Sequence, residues 1–207
     1  YVFSTLVTGL FSWQLGQALI RFLGEHQHDS IRKKYISTTT LVMVVLSYAV
    51  GTILLIFFRK ELCGFIGLNS SSHQKTFLFA MIAMFFNGIY LFLGSHLQAL
   101  RYKKEFALSQ FLHSFVGIIL TYYFVIGIDK SINGVYYAAI VVFPIVIGYQ
   151  IFALRKEFGF AFSRPIAKAL LKFSLPMVPA GLALIAFSLS DRILLNFFST
   201  QSQLGIY

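Results

Sequence analysis

Six stretches of mostly apolar residues dominate this chain, and each is about 20 residues long, the length a helix needs to cross a hydrocarbon core roughly 30 Å thick. They run from Tyr1 to Leu23, Thr38 to Phe58, Thr76 to Leu97, Leu108 to Ile128, Gly134 to Leu154 and Phe173 to Phe198. None alternates apolar and polar residues over about 10 positions, as the strands of a membrane barrel do. Composition agrees: of 207 residues, 57% are hydrophobic, 17% aromatic and only 12% charged, with a mean hydropathy of +0.77. A soluble domain carries about 25% charge, and none of this size hides so much apolar surface in one core. The expected class is an all-α integral membrane protein with six transmembrane helices.

Charge orders the connections. Arg21, Arg32, Lys33 and Lys34 follow the first span, Arg101, Lys103 and Lys104 the third, and Arg155, Lys156, Arg164, Lys168 and Lys172 the fifth. These are twelve of the 17 basic residues; the opposite loops hold only Arg59, Lys60, Lys75 and Lys130. Basic residues collect in cytoplasmic loops, so the first span is expected to enter the cytoplasm and the sixth to leave it. The net charge of +10 follows from that bias, and nucleic acid is not an expected partner. Cys63 is the single cysteine, which excludes an internal disulfide, and no paired-cysteine metal motif or other cofactor signature is present. The loop from Arg155 to Lys172 mixes Phe158, Phe160, Phe162, Ile166, Leu170 and Leu171 with basic residues, the pattern of a segment lying at the headgroups. The chain opens on Tyr1 inside one apolar stretch and closes at Gly205-Ile206-Tyr207 just after another. A segment of a longer protein is therefore expected.

Polar residues inside apolar spans are the places to look for function, because lipid rejects them. At about 100° per residue, Gln14, Gln17 and Arg21 fall within a narrow arc of the first span. Asn87, Tyr90, Gly94, Gln98 and Arg101 form a stripe on the third, and Ser109, His113, Gly117 and Thr121 one on the fourth. On the sixth, Ser188, Arg192 and Asn196 align, with Asp191 one step around. Several spans thus own one wettable face, as helices around a polar cavity would. Each stripe also has a plainer reading as interhelical hydrogen bonding worth about 0.6–2 kcal/mol per bond, and His113 as a packed histidine rather than a proton carrier. Ser47 and Gly51, four apart, read as a close-packing face. The adjacent charges Asp191 and Arg192 are the strongest signal, since a charge at bilayer depth costs about 2.5–3.5 kcal/mol on insertion scales. The span that carries them opens with Leu175-Pro176-Met177-Val178-Pro179-Ala180-Gly181, and Pro144 interrupts the fifth; prolines remove helix donors and bend helices.

The run Phe173-Ser174-Leu175-Pro176, then Ser190-Asp191-Arg192-Ile193-Leu194-Leu195, then Leu204-Gly205-Ile206-Tyr207 resembles the seventh helix of Wzx-type polysaccharide (O-antigen) flippases. These belong to the superfamily of MATE-like exporters. The opening, with Gly16 and Ala18-Leu19-Ile20-Arg21-Phe22 running into a basic loop, is similar to their second helix. The resemblance implies helices two to seven of a two-lobed MATE-like transporter. Residues 1–160 would be the remainder of the first lobe, and 161–207 the interfacial loop and first helix of the second, whose other helices belong to the missing half of the same protein. It also implies the orientation that the charge count favours.

The function implied by the resemblance is to carry an undecaprenyl-diphosphate-linked oligosaccharide across the cytoplasmic membrane of a prokaryote by alternating access, with no bond made or broken. Arg192, Asp191, Ser188, Arg21, Gln14, Gln17, Asn87 and Gln98 are the candidate cavity residues, Arg because its fork grips oxyanions and stays charged. His113 and Asp191 are candidates for coupling to H+ or Na+. A MATE-type cation-coupled multidrug exporter is the rival of the same fold, and it would favour an acidic cavity. A membrane-embedded transferase would need clustered acids, whereas the seven acidic residues here are scattered.

Overall fold

A computed structural model describes residues 2–65, 71–128, 133–159 and 162–198; within these, the side chains of 2–6, 65, 71–73, 128, 188, 189 and 191–198 lie outside the description. Among the described residues the chain is helical, with no strand. In chain order the helices are α1 (Val2–Phe11), α2 (Leu15–Glu25), α3 (Ser30–Phe57), α4 (Arg59–Phe65), α5 (Ser71–Ala99), α6 (Lys103–Tyr122), α7 (Asn133–Leu154), α8 (Arg164–Ser174) and α9 (Val178–Phe198). Helix α6 runs on into a π-helical turn, Tyr123–Ile128, and a 3-10 turn, Leu175–Met177, joins α8 to α9.

Five runs among the described residues are long and apolar enough to cross a membrane: Ser30–Phe57, Gln74–Ala99, Lys103–Gly127, Asn133–Leu154 and Arg164–Phe187. The all-α membrane class is as expected. The first expected span differs, because Tyr1–Leu23 is not one helix. Helix α1 ends at Phe11, and Trp13 and Gln14 turn left-handed, with φ of 45° and 52°. That leaves α1 and α2 each about 15–17 Å long. The Ser12 hydroxyl donates to the Gly9 carbonyl at 2.7 Å and accepts from the Gln14 N–H at 3.3 Å, competing for backbone groups that a continuous helix would use. Apolar content alone cannot reveal such a break.

Helix α5 lies at the centre, packed on α3, α7, α2 and α6. Its Leu93 and Leu97 are fully buried with Leu15 and Leu19 of α2, Ile36 and Val44 of α3, Val146 of α7 and Leu170 of α8. The outer faces stay apolar: Phe57, Ile118, Leu184 and Phe187 are all at least 70% exposed, which suits lipid and not water. Small residues set the close approaches. Gly51 lies under the Phe11 ring, where a Cβ would come within 2.7 Å, and Gly88 leaves no room for a Cβ beside the Tyr48 ring. The Ser47 hydroxyl donates to the Phe11 carbonyl at 2.7 Å and the Tyr48 hydroxyl to the Thr8 carbonyl at 2.9 Å. Helix α3 therefore supplies side-chain donors to carbonyls at the end of α1. The Ser47–Gly51 face packs closely, as read from the sequence.

The basic connections gather at one end of the bundle. Asp29 caps α3 by accepting from the Arg32 N–H at 2.9 Å. The Tyr102 hydroxyl donates to Glu157 at 2.7 Å. The Thr38 hydroxyl donates to the Gly159 carbonyl and accepts from the Gly159 N–H, both at 2.8 Å. The Ser163 N–H, at the start of α8, donates to the buried Thr39 hydroxyl at 3.1 Å. In α8, Arg164, Lys168 and Lys172 are exposed while Leu170 is buried against α2 and α3, the amphipathic division expected of this segment; Phe160 lies outside the described residues. Helix α7 continues through Pro144, whereas the helix is interrupted at Pro176, where the 3-10 turn sits.

Candidate functional site

The break between α1 and α2 lies midway along the first apolar stretch, and a cavity of about 450 Å³ opens beside it. Helices α1, α2, α3, α5 and α9 form its walls, through Thr8, Ser12, Gln14, Gln17, Tyr48, Asn87, Phe92, Ser95 and Ile185 among others. The volume falls in the range of small-molecule sites. The left-handed backbone at Gln14 costs energy in a residue other than glycine, and it presses this side chain against Gly181 of α9, where no Cβ would fit. Gly9 of α1 likewise accepts Ile185 of α9. Helix α9 thus closes on the broken helix through two glycines, one on each side of the contact.

Three predicted residues meet in this cavity: Gln14, Gln17 and Asn87. Gln14 and Asn87 are half-buried and Gln17 is exposed, and their carboxamides make no hydrogen bond within the described residues. The other predicted residues lie elsewhere. Arg21 does not line the cavity. It pairs with Glu25 at 2.7 Å and lies 4.4 Å over the Phe173 ring. Gln17 and Arg21 share α2, but Arg21 lies one turn further along it and turns to Glu25 and Phe173 rather than to the cavity. Gln98 is exposed and outside the cavity lining.

The α5 stripe also divides. Asn87 faces the cavity with Leu91 and Ser95, while Tyr90 turns to α6, donating to Gln110 at 2.6 Å and stacking on His113 at 4.7 Å. His113 lies between Tyr90 and Phe143, 5.2 Å from the latter, at the edge of a second cavity of about 670 Å³ between α6 and α7 that also takes in Gly117 and Thr121. Ser109, the fourth member of that stripe, faces Gln150 at 3.4 Å instead. Ser188, Asp191 and Arg192 belong to α9, and their side chains lie outside the described residues. Sequence reasoning passed over Thr8, Ser12, Tyr48 and Ser95. Of these only Ser95 had a periodic signal, two turns beyond Asn87 on the same face.

The described lining of the cavity holds neither acid nor base: its polar groups are amides and hydroxyls. Such a surface offers the paired donors and acceptors that neutral hydroxyl groups require.

A family model described as polysaccharide biosynthesis protein matches residues 1–207. The chain belongs to that family. It is accordingly a multi-pass membrane protein of polysaccharide biosynthesis, with the polysaccharide-related flippase role of its family, as the resemblance at its two ends implied. No curated protein and no solved structure matches the chain.

Proposed function

We propose that this family member moves a lipid-linked oligosaccharide, built on undecaprenyl diphosphate, across the cytoplasmic membrane of a prokaryote by alternating access. The observation that carries the reading is the polar cavity of about 450 Å³ beside a helix broken midway along the first apolar stretch. Interrupted helices lining a central site are a recurring device of transporters that rock between two states. The described lining, which holds neither acid nor base, favours a sugar cargo over the cationic drugs of a multidrug exporter, which an acidic wall would suit. The role is transport, with no bond made or broken.

In this reading the end that gathers the basic loops is cytoplasmic. Residues 1–160 belong to the first lobe of the transporter and 161–207 lead into the second. Coupling to H+ or Na+ would fall to Asp191 or His113, and Arg192 would meet the diphosphate. The test is export of surface polysaccharide in a flippase-null host that expresses the full-length protein, with membrane protein level measured alongside. The unchanged protein should restore export and the Asn87→Leu variant should not. Full export by Asn87→Leu at normal protein level would remove the cavity from the pathway.

A further inference from the structure

We propose that the cavity between α1, α2, α3, α5 and α9 is a subsite for uncharged sugar, and that the carrier's diphosphate is held outside it. This rests on the flippase reading and divides that cargo between two places. Four observations carry it.

The first is charge. None of the described lining residues is Lys, Arg, Asp or Glu, and a diphosphate taken from water into a weakly polar site needs cations to offset its desolvation. The nearest predicted cation on the same helix as Gln17 is Arg21, already engaged with Glu25 and the Phe173 ring. Arg192 lies seven residues beyond Ile185 on α9, two turns or about 10 Å along the axis.

The second is the chemistry of the wall. A carboxamide donates and accepts at once, as a sugar hydroxyl does, and Gln14, Gln17 and Asn87 bring three such groups to one space. Phe92 adds an apolar ring surface beside them, matched to the carbon-bound hydrogens of a pyranose.

The third is availability. The three carboxamides have no side-chain hydrogen bond within the described residues, and the Thr8 hydroxyl in the same wall is buried without a partner, whereas the Tyr48 hydroxyl bonds Thr8, the Ser12 hydroxyl Gly9 and the Ser47 hydroxyl Phe11 through their carbonyls. Gln14 and Asn87 are half-buried and Gln17 is exposed, so these amides are open to be met by water or by cargo. The fourth is placement: the left-handed turn at Trp13 and Gln14 follows an α1 end bonded by hydroxyls of α3, and it sets the Gln14 side chain against Gly181 of α9.

The experiment uses the full-length protein in membrane vesicles. The buried Cys63 is changed to Ser, and a single cysteine is placed in the wall, at Asn87→Cys in one protein and Ser95→Cys in a second in case the first folds poorly. Each is labelled with a cationic and an anionic methanethiosulfonate reagent of similar size, with rates corrected for those on a free thiol. A neutral subsite gives a ratio near one. A diphosphate site favours the anionic reagent by about tenfold or more, and that result overturns the proposal.

Labelling is then repeated with two protectants: inorganic pyrophosphate, and the repeat-unit oligosaccharide released by mild acid from the carrier that accumulates in the flippase-null host. Protection by the oligosaccharide of about fivefold or more, with pyrophosphate inert, is expected where sugar hydroxyls meet the carboxamides. Protection by pyrophosphate, or by neither compound, overturns the proposal. The reagent comparison reads the charge of the cavity without assuming transport. Complementation by the unchanged protein reads the transport assignment separately.

Discussion

Thr38→Val is the sharpest test of how the basic end is held together. One hydroxyl satisfies both backbone groups of Gly159, accepting from its N–H and donating to its carbonyl, each at 2.8 Å. Valine keeps the branched shape and removes both bonds. A net hydrogen bond contributes about 0.5–1.5 kcal/mol, so the pair is worth about 1–3 kcal/mol. Because Thr38 and Gly159 are half-buried, water can reach part of what is exposed, which places the expected loss at about 1–2 kcal/mol.

Thr40→Val is the control. Its hydroxyl donates only to the Ile36 carbonyl, four residues back on the same helix, at 2.7 Å. Such back-bonding slightly destabilises helices, so this substitution should change stability by less than about 0.5 kcal/mol in either direction. Both variants can be unfolded by sodium dodecyl sulfate in mixed micelles and followed by far-ultraviolet circular dichroism. Amide exchange over residues 155–159 gives a local readout, and Thr38→Val should lower its protection. The reasoning is refuted if Thr38→Val stays within about 0.3 kcal/mol of the parent, or if Thr40→Val costs as much.

Two further outcomes are expected. The hydrogen bond to Glu157, with burial and nearby carboxylate charge after it, pushes the Tyr102 phenol up from 10.0 to about 12. Its neutral form is the one favoured on folding, so this contribution to stability is complete below pH 10.0 and is lost as pH rises through about 12. A phenolate absorbance titration of parent minus Tyr102→Phe should show the late ionisation, and Glu157→Ala should return it toward the ordinary tyrosine value; an unchanged titration in Glu157→Ala would show that this contact is not the cause. At the broken helix, Tyr48→Phe removes a single hydrogen bond and should cost about 0.5–1.5 kcal/mol, while Gly88→Ala drives a methyl into the buried Tyr48 ring and should cost about 1–3 kcal/mol. Equal losses from the two in the same micelle titration would show that the ring has room to shift.

The apolar run lengths were enough to determine the all-α membrane class, because a bilayer leaves a spanning chain only helices or a closed barrel to satisfy its backbone, and these runs are too long and continuous for barrel strands. The grouping of basic loops at one end was legible for a similar reason: Lys and Arg positions follow which side a loop occupies, and the Tyr102–Glu157 and Thr38–Gly159 bonds join the connections that the charges had grouped. Short motifs at the two ends carried the family. Gln14, Gln17 and Asn87 were visible as amides out of place in apolar helices, so their type marked them before any geometry did.

Tertiary structure decided the rest. A break in a helix depends on what can take up its backbone groups, and here the Phe11 carbonyl is taken up by Ser47, 36 residues away in sequence, beside the local bond from Ser12 to Gly9. For the same reason a stripe on one helix did not stay together: Tyr90 found Gln110 and His113 while Asn87 was left facing α1 and α2. Arg21 shows it most plainly. Its charge placed it among the cavity residues, but Glu25 one turn on and Phe173 from another helix hold it outside. Helical periodicity says which residues share a face; which neighbour that face meets depends on packing between distant segments.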